Sequence, residues 1–140
     1  MPGELSVRAV YLDRMQVLAE SGDHQILTDY PLQAGAQVEG FTSLELLLAS
    51  LATCSANAMM ALLQRKLKQP VTGLEVQARA LRREEHPMVL THIFLEFVVK
   101  GSVDPEAVKK SLAVAEEQFC PVWNMLKGGT PISATYRIIS

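Results

Sequence analysis

Between Leu44 and Leu63 the chain is apolar around nearly the whole circumference of a helix, and this stretch limits the folds that can surround it. A bilayer-spanning helix needs ~20 such residues, so length alone does not exclude a membrane. Glu45, Ser50, Thr53, Ser55 and Asn57 interrupt the run, and the segments on either side have the pattern of soluble strands. The stretch is therefore expected to be a buried core helix. A helix that is apolar all round has to be covered all round. Its small residues, Ala49, Ser50, Ala52, Ser55, Ala56 and Ala58, allow another backbone to approach closely. One chain of 140 residues offers too little surface to enclose it, which predicts a homodimer with this helix near the interface.

The ends of the helix are legible. Thr42 followed by Glu45 is a capping-box pair, in which each side chain satisfies a backbone N–H left free at a helix N-terminus. Gln69-Pro70 stops the helix at about Lys68, because the residue before a proline is driven out of helical geometry. Upstream, Leu5, Val7, Ala9 and Tyr11 alternate with Ser6, Arg8 and Val10, as expected of a strand. Asp13-Arg14 marks a turn, a second strand carries Met15, Val17 and Ala19, and Gln25 to Thr28 forms a short third. From Leu32 to Gly40 no period survives, and a loop is expected.

Downstream, Leu74, Val76, Ala78 and Ala80 alternate with polar residues, as do Ile93, Leu95, Phe97 and Val99 with Phe94, Glu96 and Val98. The polar run Arg82 to Pro87 turns them into a long antiparallel pair. Asp104-Pro105 opens a helix reaching about Gln118, and Pro121 starts a shorter one through Leu126. Gly128-Gly129 ends it, and Ile132, Ala134, Tyr136 and Ile138 close the chain as a strand. The order of strands, helix, strands, helices and strand indicates an α+β fold with segregated helices. Without internal repeats or a linker, residues 1–140 are expected to form a single domain.

Composition removes several function classes. A net charge of −2 with no dense basic stripe argues against nucleic acid as a partner. The opening Met-Pro-Gly-Glu-Leu-Ser-Val-Arg lacks the basic start and apolar centre of a secretory leader, so a cytoplasmic location is expected. Thiols are kept reduced there. His24, His86 and His92 show no ligand spacing with each other or with a cysteine, and no metal site is expected. A glycine-rich phosphate loop and a serine nucleophile elbow are also missing from the sequence.

The chemistry that remains is that of two cysteines. Cys54 lies inside the long helix, and Cys120 sits directly before Pro121 where one helical pattern breaks and another begins. A thiol reacts as its thiolate, and an ordinary cysteine is mostly protonated at neutral pH. An arginine held near Cys54 would favour the anion, as the start of a helix would at Cys120. Free cysteine also packs as a small hydrophobe, which accounts for Cys54 without any reactivity. Glu45 is explained by the capping box, and Arg14 by its place at a hairpin tip.

The segment from Gly40 to Cys54, Gly-Phe-Thr-Ser-Leu-Glu-Leu-Leu-Leu-Ala-Ser-Leu-Ala-Thr-Cys, resembles the G-x-x-P-x-E-L-L-L-A-A-L-x-x-C signature of the OsmC/Ohr family. Glu117-Gln118-Phe119-Cys120-Pro121-Val122 is similar to that family's second thiol segment, and the element order matches over nearly the whole chain. The resemblance implies an antiparallel sheet around a long central helix in an intertwined homodimer with two interfacial active sites. It also implies a cysteine-based peroxidase for organic hydroperoxides that serves the oxidative stress response. In that scheme Cys54 becomes a sulfenic acid, Cys120 condenses with it to a disulfide, and an external dithiol such as a dihydrolipoyl group restores both thiols. Arg14 and Glu45 are the candidates for the activating pair. Ser43 stands where the signature has proline, and Leu44 holds the place of the hydroperoxide-resistance branch's catalytic glutamate. Glu45 follows one residue later, a rotation of about 100° on a helix, so the chain is closer to the general OsmC-like branch. Two other classes stay open: a non-catalytic dimeric module that binds a small apolar ligand, and a thiol redox sensor.

Overall fold

The computed structural model describes residues 3–140; Met1 and Pro2, which open the stretch read as lacking a leader, lie outside the described residues. The chain forms two compact units, Met1–Leu47 and Leu48–Ser140. In the first, β1 (Arg8–Asp13), β2 (Gln16–Ser21) and β3 (His24–Thr28) form an antiparallel sheet in the order β1-β2-β3. The β1–β2 turn consists of Arg14 and Met15, with φ of 52° and 68°. Met15, expected to start the second strand, belongs to the turn. Two successive left-handed residues match the right-handed twist of the strands they join, a position usually filled by Asn or Gly.

This first unit has no apolar interior in the chain by itself. Its single buried residue among those described is polar, Asp29, while Leu5, Val7, Tyr11, Leu12, Met15 and Ile26 are all exposed. A bridge from Thr28 to Phe41 and a hydrogen bond from the Asp29 N–H to the Phe41 carbonyl (2.9 Å) lead the chain into helix α1 (Ser43–Met60). The capping box is formed as expected. Thr42 N–H donates to Glu45 Oε1 at 2.9 Å, and Glu45 N–H donates to Thr42 Oγ1 at 3.3 Å.

The second unit is a sheet covered by helices. Strands β4 (Val71–Arg82) and β5 (Leu90–Gly101) pair antiparallel as expected, in a register that sets Leu74, Val76, Ala78 and Ala80 opposite Val99, Phe97, Leu95 and Ile93. Strand β6 (Ile132–Ile139) lies parallel to β5, with Ile132, Ala134, Tyr136 and Ile138 opposite the same four residues of β5. The sheet is therefore mixed, where an antiparallel one was expected. Parallel neighbours need a crossover, and the segment between β5 and β6 supplies it as helices α2 (Pro105–Val114) and α3 (Pro121–Leu126).

Three strands thus present one continuous apolar face, and α1 contributes to the same core. Leu51, Ser55, Met59 and Leu62 recur at helical spacing and are at most 2% exposed. Full burial of a side chain such as Leu51 stabilises by roughly 1.5–3 kcal/mol. The expectation that α1 is covered all round is not met within one chain: Ser50, Thr53 and Asn57 stay exposed, because one chain supplies a single packing surface. Helices α1 and α2 both continue into π-helical turns, Ala61–Lys66 and Ala115–Phe119, so each helical segment reaches about the predicted length with a changed last turn.

Gly101 ends β5 with φ of +124°, and a Cβ there would run into the Pro70 carbonyl oxygen. Gly101→Ala is expected to destabilise the protein by about 2–4 kcal/mol, from left-handed strain plus overpacking. Chemical denaturation, compared with Gly128→Ala where nothing lies within 4 Å, measures this.

Candidate functional site

Cys54 and Cys120 meet. Both are free thiols, Cys54 half-buried on α1 and Cys120 only 1% exposed, and they lie close enough for Cys54 to perturb the Cys120 thiol. Cys120 reaches this position from an extended residue (φ −104°, ψ 98°) between the second π-turn and α3. Its N–H closes the π-turn on the Ala115 carbonyl at 2.8 Å, and its own carbonyl accepts the Asn124 N–H at 3.0 Å. Pro121, with no N–H to offer, occupies the first position of α3. Below the thiol, Trp123 stacks on Phe97 with ring centroids 6.1 Å apart.

The two thiols are not equivalent. Burial pushes the Cys120 thiol from 9.0 up to about 11, the contact with Cys54 pushes the same way, and the Trp123 and Val122 N–H groups pull down. The expected help from the helix start exists, but desolvation outweighs it. Cys120 is consequently a neutral thiol at physiological pH.

Arg14 and Glu45 do not form a pair here. Arg14 lines a cavity of about 590 Å³ in the first unit, together with Asp13, Gln16, Asp29, Tyr30 and Glu39. Glu45 is committed to its cap, and among the described residues no ion pair joins it to Arg14. Asp29, which nothing in the sequence pattern singles out, lines the same cavity as Arg14. Its carboxylate accepts the N–H groups of Tyr30 (2.8 Å) and Glu39 (2.9 Å) and the Gln16 side-chain amide (3.3 Å). The Glu39 N–H and these other donors, with Arg14, outweigh burial and hold Asp29 below the usual carboxylate range. Asp29 thereby ties the loop to β2 beside the Arg14 turn.

Among the described residues no group of His, Cys, Asp and Glu side chains could hold a metal ion. The arrangement instead provides two adjacent thiols of unequal accessibility and protonation. That suits dithiol–disulfide chemistry.

A family model described as OsmC-like protein matches residues 35–135, a span that includes both cysteines. The chain belongs to the OsmC-like family. Protein YhfA of Escherichia coli K12 is 30% identical over 138 residues, covering 97% of this chain and 99% of its own length. The OsmC-like protein of Mycoplasma pneumoniae superposes with a TM-score of 0.87 at 20% identity, covering 100% of both chains. The organic hydroperoxide resistance protein of Elizabethkingia anophelis gives 0.73 at 17% identity, covering 99% of this chain and 98% of its own. At such identities the superpositions establish the OsmC-like α+β fold.

Because the folded protein holds Cys120 protonated, the folded state binds a proton that the unfolded chain releases above pH 9.0. The associated stability is present below pH 9 and lost as pH rises toward 11, a decline of roughly 1–3 kcal/mol. Cys120→Ser should show a flatter stability profile across that window in urea titrations. At neutral pH a mild alkylator should modify Cys54 and spare Cys120 until the protein is unfolded, as read by peptide mass spectrometry.

Proposed function

We propose that this OsmC-like protein is a cytoplasmic thiol peroxidase that reduces organic hydroperoxides. The observation that carries this reading is the contact between two free thiols, one half-exposed and the other buried and protonated. Cys54 is the thiol that a peroxide can reach. As thiolate it attacks the terminal peroxide oxygen, forming an S–O bond while the O–O bond breaks, and the alkoxide leaves as the alcohol by taking the proton that the Cys54 thiol gave up. The Cys120 thiol then condenses with the Cys54 sulfenic acid to a disulfide, and water departs with the hydroxyl and the Cys120 proton. An external dithiol, of the dihydrolipoyl kind, returns both cysteines to thiols and is itself oxidised to a disulfide.

Arg14 is the proposed source of positive charge for the Cys54 thiolate, with Asp29 as the carboxylate that faces it in place of Glu45. Residues 1–140 act in this scheme as one domain that works as a homodimer. Support for the dimer comes from the exposed apolar side chains of the first unit, Leu5 (96%) and Val7 (70%) ahead of β1 and Tyr11, Leu12 and Ile26 in the sheet. Apolar surface of that extent is normally covered by a partner. A sedimenting mass equal to one chain would contradict this part.

The test is consumption of cumene hydroperoxide in the presence of dihydrolipoamide. Wild type should turn over, Cys54→Ser should lose the activity, and Cys120→Ser should halt after one turnover with Cys54 trapped as sulfenic acid. Equal inertness of wild type and Cys54→Ser would overturn the enzyme. A second reading, a non-catalytic ligand-binding module or redox sensor on the same fold, draws on the commitment of Glu45 to its helix cap. The ligand-binding module requires slow alkylation of both thiols at neutral pH, and the sensor requires a partner interaction that differs between oxidised and reduced protein in a pull-down.

A further inference from the structure

The second π-turn, Ala115–Phe119, is an unusual place from which to hold a reacting thiol. A π-turn accommodates one residue more than an α-helical turn, and runs of this kind persist only where other contacts support them. If the segment relaxed to α geometry, every following residue would rotate by about 100° about the helix axis. Cys120 comes directly after the turn, so this rotation would swing its thiol away from Cys54.

Two side chains from α3 and its end reach back onto the turn. Asn124 Nδ2 donates to the carbonyl oxygens of Glu117 at 3.3 Å and Glu116 at 3.5 Å, which the π-turn leaves free. Lys127 Nζ contacts Glu117 Oε1 at 2.8 Å and Glu116 Oε2 at 3.4 Å. The Asn124 N–H also binds the Cys120 carbonyl at 3.0 Å, so the chain around Cys120 is fastened on both sides. The Glu117 contact, foremost, and the charge of Glu116 raise the Lys127 pKa above its ordinary value, which keeps the ammonium charged throughout the neutral range.

We propose that Asn124 and Lys127 are positioning residues for the disulfide-forming step, pinning the π-turn so that the Cys120 thiol stays in reach of Cys54. The proposal rests on the resolving role given to Cys120 above. It assigns these two side chains to the second chemical step and not to the attack on peroxide, because they act on the segment bearing Cys120.

The experiment treats reduced protein with one equivalent of cumene hydroperoxide and follows the two steps separately. Dimedone capture reports Cys54 sulfenic acid, and mass spectrometry reports the Cys54–Cys120 disulfide. Asn124→Ala and Lys127→Met are each expected to slow disulfide formation about tenfold, as loss of a hydrogen bond's net contribution would, so that dimedone-trapped Cys54 accumulates. Lys127→Arg, which keeps the charge, should restore most of the rate. If wild type yields no Cys54–Cys120 disulfide, the peroxidase reading itself fails. If wild type forms it and both variants form it equally fast, the positioning proposal is overturned while the peroxidase reading stands. Should Asn124→Ala fail to fold, the Lys127→Met and Lys127→Arg pair decides, since Lys127 lies near the surface.

Discussion

Parallel pairing of β6 with β5 is the constraint on which the site depends. An antiparallel neighbour could have followed β5 through a tight turn, but a parallel one obliges the chain to travel back across the sheet before it pairs. That return path is the α2, π-turn and α3 segment, and Cys120 lies at its sharpest break. The apolar face shared by the three strands holds the path down through Phe97 and Trp123, and the same core takes up the Leu51, Ser55 and Met59 stripe of α1. Two cysteines distant in sequence become neighbours because both helices answer to one sheet face.

The contact makes the thiols chemically different although both are cysteine. Desolvation at Cys120 outweighs the hydrogen bonds from the first turn of α3, so proximity to a helix start does not by itself produce an anion. In the peroxidase scheme proposed above, a thiol that stays neutral until it meets an electrophilic sulfur can be buried without cost to the first reaction, whereas one that must meet a peroxide cannot be buried to the same degree. Cys54 is the less buried of the two.

Much of this was legible in residue patterns. Period-2 alternation identified β4 and β5, Thr42 and Glu45 identified the start of α1, and Asp104-Pro105 identified the start of α2, where Asp104 Oδ1 accepts the Glu106 N–H at 3.0 Å. What escaped was decided by tertiary contacts. The direction of β6 follows from the crossover, since alternation is the same in parallel and antiparallel strands. The π-turns depend on side chains such as Asn124 that act from beyond the helix they modify. Asp29 has the sequence of an ordinary turn residue, and its burial comes from a loop closing over it through the Glu39 N–H. The thiol segment was recognisable from a family signature, whereas the carboxylate near Arg14 was not, because Glu45 satisfies a local rule so completely that nothing in the sequence points past it.

The N-terminal sheet, with its exposed Tyr11, Leu12 and Ile26, carries a consequence for the order of folding. A small sheet with no interior of its own has little to hold it until its apolar face is covered. The Leu48–Ser140 unit, by contrast, contains a complete core. Synthesis therefore delivers first the strands that can become stable only last, and the newly made chain carries a bare apolar sheet for as long as its remainder takes to emerge and pack.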